Sequence, residues 1–92
     1  MTEHRRTITI VNQRGLHARA SAKFVGAVAA LPEGVSVAIS KDGNEAAGGS
    51  ILGLMMLGAA KGDTIELIVE GQDAEPTLET LCLLVEDGFG EE

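Results

Sequence analysis

The sequence lacks several features on which common classes of protein depend. It has two phenylalanines and no tryptophan or tyrosine, so the core must come from Ile, Leu, Val, Ala and Met. Its one cysteine, Cys82, excludes an internal disulfide and a cysteine-rich metal motif, and we expect neither metal nor cofactor. No apolar run approaches the ~20 residues of a membrane span, and none suits a signal peptide. We therefore expect a cytoplasmic protein with no membrane insertion.

Negative charge dominates the chain but not its N-terminal part. The formal net charge is -7, which argues against nucleic acid or an anionic membrane as a partner because both attract basic surfaces. The 92 residues suit one domain, 1–92, and a monomer. An anionic ligand or an acidic partner could bind the basic N-terminal part, which contains His4, Arg5, Arg6, Arg14, His17, Arg19 and Lys23.

The first half of the chain shows strand and helix patterns in alternation. Residues 7–11 alternate apolar and polar side chains, as in a half-buried strand. Residues 18–31 have helical spacing and end before a proline and a glycine, which predicts a helix. A second strand is predicted at 35–39. Residues 41–44 contain Asp-Gly, a strong hairpin signal, so we expect a return strand at 45–48 despite its weak strand propensity.

The second half completes a mixed fold. Ser50 precedes a short helical segment at 51–57, and 64–70 is the clearest strand. Asp73 is expected to cap a last helix that Gly88 ends. The apolar stripe of this helix consists of Leu78, Leu81, Cys82 and Val85. The order β-α-β-β-α-β-α predicts an α+β fold, with a four-stranded, largely antiparallel sheet and three helices on one face.

Candidate chemistry lies in residues 14–19, where the first strand gives way to the first helix. The first amides of a helix have no intrahelical partner and carry a partial positive charge, which favours an anion there. Gly15 permits a tight approach of the chain. His17 supplies an imidazole, which is a competent nucleophile when neutral, and Arg19 supplies a permanent charge for a phosphate. A histidine in this place is more often a cap or a surface residue, so these residues alone predict an anion or phosphoryl site and no more.

Two longer stretches carry a resemblance to a known family. Residues 15–24, Gly-Leu-His-Ala-Arg-Ala-Ser-Ala-Lys-Phe, resemble the active-site signature of HPr, the histidine-containing phosphocarrier of the phosphotransferase system. Residues 50–57, Ser-Ile-Leu-Gly-Leu-Met-Met-Leu, are similar to the family's regulatory-serine segment, and the Lys-Gly-Asp turn at 61–63 also matches. The resemblance covers nearly the whole chain. It implies an open-faced β-sandwich, which agrees with the predicted order of elements.

The resemblance also implies roles for individual residues. His17 would accept the phosphoryl group on Nδ1 from enzyme I and pass it to IIA-type acceptor domains, as a carrier rather than a turnover enzyme. Arg19 would steady the phosphate. An exposed apolar patch would dock both partners, and it would consist of Ile51, Leu52 and Met55. From the residues alone, apolar side chains on a short helix are more often core than interface.

Ser50 has two interpretations that are compatible. As an N-cap it would stabilise the short helix by ~1 kcal/mol. As the family's regulatory serine it would be phosphorylated by an HPr kinase/phosphorylase, which would add negative charge beside the docking patch.

Ala20 departs from the family signature, which usually has proline after the arginine. Alanine is the best helix former, so we expect the helix to persist. This variant resembles some proteobacterial HPr proteins, and the acidic segment 88–92 resembles the nitrogen-related NPr branch. A sugar-uptake carrier and a regulatory carrier both remain open, as do a Ser50-controlled binding protein and a plain anion-binding domain.

Overall fold

The computed structural model describes residues 3–91, and its elements follow the predicted order. A short 3₁₀ turn at Gly88–Gly90 follows the last helix. No helix within 3–91 is long and apolar enough to cross a bilayer. The strands and helices are β1 (Glu3–Thr9), α1 (Ala18–Ala29), β2 (Ser36–Lys41), β3 (Asn44–Ala47), α2 (Ile51–Met56), β4 (Thr64–Glu70) and α3 (Ala74–Glu86).

The four strands form one antiparallel sheet in the order β1-β4-β2-β3. Because side chains alternate along a strand, one face of the sheet carries the core residues Ile8 and Ile65, which lie opposite each other. The other face carries polar pairs such as Arg5 and Glu66, whose Nη1 and Oε1 atoms are 2.9 Å apart. The prediction of an open-faced α+β sandwich is therefore confirmed.

Within the described residues, a hydrophobic cluster joins the sheet to all three helices. Each helix contributes a side chain that is at most 1% exposed, namely Phe24, Leu54 and Leu81. Burying one such side chain stabilises a fold by roughly 1.5–3 kcal/mol. The six residues of α2 are too few for a helix that is stable alone, so α2 depends on Leu54 and on its packing against α1.

The predicted start of the first strand was wrong. The strand begins at Glu3 rather than at residue 7, and it ends at Thr9. Its first half pairs with 67–70 of β4 although it lacks alternating apolar side chains. The β1 strand lies at the edge of the sheet, where long polar side chains can reach solvent or a neighbouring helix. Arg6 does so: its Nη2 lies 3.1 Å from Oε2 of Glu79 on α3. Hydrophobic periodicity therefore could not detect this half.

The predicted helix capping by Asp73 was also wrong. Asp73 occupies the N-cap position of α3, but its backbone is left-handed, with φ 58°, and its side chain caps no amide. A capping side chain normally accepts from the second or third amide of the helix. The third residue here is Pro76, which has no amide hydrogen. The stripe at the buried face of α3 was correct, and so was the helix end, where Gly88 has φ 64°.

The remaining boundaries shift by one or two residues. The α1 helix stops at Ala29, because Leu31 precedes Pro32 and is disfavoured in a helical conformation. The hairpin is confirmed: both Asp42 and Gly43 have positive φ, at 50° and 85°, as a two-residue turn of this kind requires.

Candidate functional site

His17 is the N-cap of α1, and its ring takes part in the cap. Its backbone is extended, with φ -79° and ψ -177°, and its Nδ1 accepts a hydrogen bond from the amide of Arg19 at 3.3 Å. An amide nitrogen can only donate, so Nδ1 presents a lone pair at the start of the helix. The nitrogen that the family resemblance assigns to phosphoryl transfer is therefore the one that faces the helix amides.

Gly15 fixes the chain just before this cap. Its φ is +64°, and a Cβ placed there would lie 2.8 Å from the Cα of Ala60. The next amide, that of Leu16, donates to the carbonyl of Ala59 at 2.9 Å. A side chain at this position would be strained by its φ and would push the two segments apart. The tight approach expected at Gly15 is therefore an approach to Ala59 and Ala60, in the loop that follows α2.

A second segment reaches the site from the other end of the sequence. The Gly88–Gly90 turn places the fully buried ring of Phe89 in the core, and Nζ of Lys23 donates to the Phe89 carbonyl at 2.7 Å. These two anchors bring Glu91 beside α1, where its Oε2 contacts Nε2 of His17. The side-chain Nδ2 of Asn12 donates to the other carboxylate oxygen of Glu91, Oε1, at 3.2 Å.

Together these segments line a shallow surface cavity of about 360 Å³. Three cationic side chains and one carboxylate surround it, so an anion placed there meets positive charge on an otherwise acidic protein. Within residues 3–91 no group of three or more His, Cys, Asp or Glu side chains is arranged to hold a metal ion. The lining residues are Arg14, His17, Arg19, Lys23, Gly90 and Glu91.

The environment of Glu91 favours its ionised form. The hydrogen bond with His17 lowers the pKa of Glu91, and the Asn12 amide and the charge of Arg19 act in the same direction, while desolvation opposes them. A carboxylate with a depressed pKa stabilises the fold above its ordinary pKa, and that contribution is lost as the pH falls through the lowered value. At neutral pH the side chain beside His17 is therefore negative.

The residues predicted for partner binding lie together on α2. Ser50 caps this helix, since its Oγ accepts from the amide of Gly53 at 3.0 Å. The exposed fractions of Ile51, Leu52 and Met55 are 41%, 68% and 39%. The apolar side chains of this helix thus divide into a buried Leu54 and an exposed face, which we call the α2 patch.

Three features of the site were missed by sequence reasoning. Met56, which is 77% exposed, extends the α2 patch. Glu91 contacts the His17 ring, and Asn12 donates to Glu91 although 79 residues separate the two. The acidic segment after Gly88 was interpreted only as a resemblance to the NPr branch, and its position beside His17 was not predicted. Phe89 was the signal that could have predicted this position, because a large apolar residue needs a buried site.

Comparisons with known proteins identify one family. Residues 4–87 match the family model described as PTS HPr component phosphorylation site. The chain is 41% identical to the phosphocarrier protein NPr of Shewanella violacea, over 99% of this chain and 98% of that protein. It is also 41% identical to the phosphocarrier protein HPr of Neisseria meningitidis, over 95% of this chain and 96% of that protein. A crystal structure of HPr-C-His from Thermoanaerobacter tengcongensis matches with a TM-score of 0.86 and 38% identity, covering 100% of this chain and 99% of that one.

The cap at Ser50 makes a stability prediction. Ser50→Ala removes the acceptor for the Gly53 amide, so we expect the free energy of unfolding to fall by about 1 kcal/mol in denaturant titrations. Ser50→Asp keeps a side-chain acceptor for the Gly53 amide, so its free energy of unfolding should fall only slightly. Ser36→Ala, at an exposed position of β2, is the control. Equal stability of Ser50→Ala and Ser36→Ala would show that the cap contributes nothing.

Proposed function

This chain belongs to the HPr family of phosphocarrier proteins of the phosphotransferase system, and we propose that His17 accepts a phosphoryl group on Nδ1 from enzyme I and passes it to IIA-type acceptor domains. The observation that carries the proposal is the cap of α1. It combines a nucleophilic nitrogen, the first amides of a helix and cationic side chains in one place. We place this cycle in the cytoplasm, as expected from the lone Cys82.

The geometry supports phosphoryl transfer by positioning and charge. The Nδ1 lone pair forms the new bond to phosphorus while the bond to the donor breaks and its electron pair leaves with the donor. The transferred group then lies beside the first amides of α1 and the side chain of Arg19, which can donate to its oxygens. The reverse displacement delivers the group to an acceptor. A protein that does only this carries a phosphoryl group and does not turn over a substrate by itself.

The α2 patch is the proposed docking surface for enzyme I and IIA-type domains. It lies on a helix that packs against α1, so a partner bound there would be close to the helix that begins at His17. The exposed residues Ile51, Leu52 and Met55 form it, together with Met56. Methionine adapts its shape to different surfaces, which suits a patch that several partners must share.

Control by phosphorylation of Ser50 is the second candidate function. The Ser50 hydroxyl lies at the first turn of α2, directly before the patch residue Ile51. A phosphate there would add roughly -1.5 to -2 charges at the edge of the docking surface, and an acidic partner would be repelled. We propose an HPr kinase/phosphorylase as the enzyme that would modify Ser50. The same patch would then serve transfer and its regulation.

The carrier role predicts a phosphohistidine. Incubation with phosphoenolpyruvate and enzyme I should add one acid-labile, base-stable phosphoryl group to the protein, as measured by mass spectrometry. His17→Ala should abolish the label. Arg19→Ala should slow transfer by about ten-fold or more, because a charge-assisted contact to the phosphate is lost.

Arg14→Ala is the matched control, since it removes a guanidinium from the same cavity but from outside the helix cap. It should slow transfer less than Arg19→Ala. An unlabelled wild-type protein, or a label that persists in His17→Ala, would contradict the proposal.

The docking role predicts a contrast between two exposed leucines. Leu52 in the α2 patch is 68% exposed and Leu83 on α3 is 59% exposed, so truncation to alanine removes a comparable surface from each. Leu52→Ala should raise the KM of enzyme I for the carrier by about ten-fold, as for a central interface residue. Leu83→Ala should leave it unchanged. Equal KM values for the two variants would place docking elsewhere.

A further inference from the structure

We propose that Glu91 is a positioning residue for phosphoryl transfer at His17. Its carboxylate keeps the ring proton on Nε2, leaves the lone pair on Nδ1, and balances the positive charge that the ring acquires when Nδ1 bonds to phosphorus. This inference rests on the proposed function of His17, whose reaction it refines. It concerns a residue outside the Gly15–Phe24 motif and outside the α2 patch.

The two ring nitrogens of His17 have partners of opposite character. Nδ1 accepts from the amide of Arg19, so it carries no proton. A neutral imidazole has one N–H, which must then be on Nε2. Nε2 faces the carboxylate of Glu91, an acceptor. Each partner therefore favours the same tautomer, and it is the tautomer in which Nδ1 can attack.

The carboxylate is held in place rather than left to a mobile side chain. Asn12 is only 6% exposed, and its amide group bridges the Gly15 carbonyl at 2.9 Å and Glu91 at 3.2 Å. The backbone before Glu91 is anchored by the buried Phe89 ring and by Lys23. The side chains of Glu91 and His17 are 16% and 18% exposed, so water screens their contact only in part. Such pre-organisation reduces the entropy lost in holding the ring.

The charge balance of the reaction follows from this contact. When the Nδ1 pair bonds to phosphorus, the donor's bond to phosphorus breaks, and that electron pair leaves with the donor. The proton stays on Nε2, so the ring becomes an imidazolium. A carboxylate on Nε2–H stabilises that cation, as in other carboxylate–histidine pairs. When the phosphoryl group moves on, the pair of the N–P bond returns to Nδ1 and the ring is neutral again.

An opposing role for Glu91 would be to block the cavity as a mimic of phosphate. The contact argues against it, because Oε2 engages Nε2 and leaves Nδ1 to the helix amides. Lys23 is engaged with the Phe89 carbonyl, while Arg14 and Arg19 also line the cavity and provide positive charge for an incoming phosphoryl group. The carboxylate and a phosphate would therefore occupy different sides of the ring.

The test uses potassium phosphoramidate, a small donor that needs no partner protein. The bond from phosphorus to its nitrogen breaks, ammonia leaves, and the ring is phosphorylated. NMR distinguishes the Nδ1 and Nε2 products at His17. Wild type should give the Nδ1 product. Glu91→Ala uncovers Nε2 and should give both products. Glu91→Gln retains a hydrogen-bond acceptor without the charge, so it should keep the Nδ1 product but form it about ten-fold more slowly.

Glu86→Ala and Glu86→Gln are the matched controls, since they remove an exposed carboxylate from the end of α3. Both variants should give the same product, phosphorylated on Nδ1, at the same rate as wild type. Unchanged products in Glu91→Ala together with an unchanged rate in Glu91→Gln would overturn the proposal. Faster phosphorylation of either Glu91 variant would also overturn it, because the carboxylate would then be obstructing the ring.

The same experiment separates this inference from the proposed function. If phosphoramidate gives the expected pattern but enzyme I labels no variant, the carrier role fails and the positioning role of Glu91 stands. If enzyme I labels wild type on His17 while phosphoramidate gives the same products and rates in all variants, the carrier role stands and the positioning role fails.

Discussion

The hydrogen bond from the Arg19 amide to Nδ1 of His17 is the interaction on which the rest of the site depends. Because of this bond, the side chain of His17 caps the start of α1 and also carries the proposed nucleophilic nitrogen. The bond is long, at 3.3 Å, so little stabilisation is lost when Nδ1 takes up another group. A phosphoryl group on Nδ1 would bring oxygens to the same amides. The helix would then exchange one cap for another, and the fold could carry or release the group without rearranging.

The segments on both sides of this cap restrict the position and orientation of the His17 ring. Gly15 lets the preceding loop pass against Ala59 and Ala60, which sets the direction from which His17 enters the helix. The Gly88–Gly90 turn closes the other side and brings a carboxylate to Nε2. The acidic protein thus keeps a basic cavity around one imidazole, and the carboxylate that lines this cavity within residues 3–91 contacts Nε2 rather than Nδ1.

Much of the fold could be predicted because it follows from local patterns. The alternation in β4, the Asp42-Gly43 turn and the stripe of α3 each reflect a physical rule that acts within a few residues. The start of β1 could not be predicted, since its pairing depends on β4, more than 50 residues away. The capping rule failed at Asp73, whose backbone is left-handed and whose helix has a proline, Pro76, where one of the two usual amide donors would be. At the site, His17, Arg19 and Ser50 could be named from sequence, but Glu91 could not, since only the tertiary packing of Phe89 brings it to the ring.

The contacts at the cap require that the protein holds His17 with its proton on Nε2 and its lone pair on Nδ1. A long-range ¹H–¹⁵N correlation spectrum of the unphosphorylated protein, recorded where the ring is neutral, tests this directly. Nε2 should show the chemical shift of a protonated nitrogen, and Nδ1 should show that of an unprotonated acceptor. A proton found on Nδ1 would contradict it, because neither the helix cap nor the contact with Glu91 could then be as described.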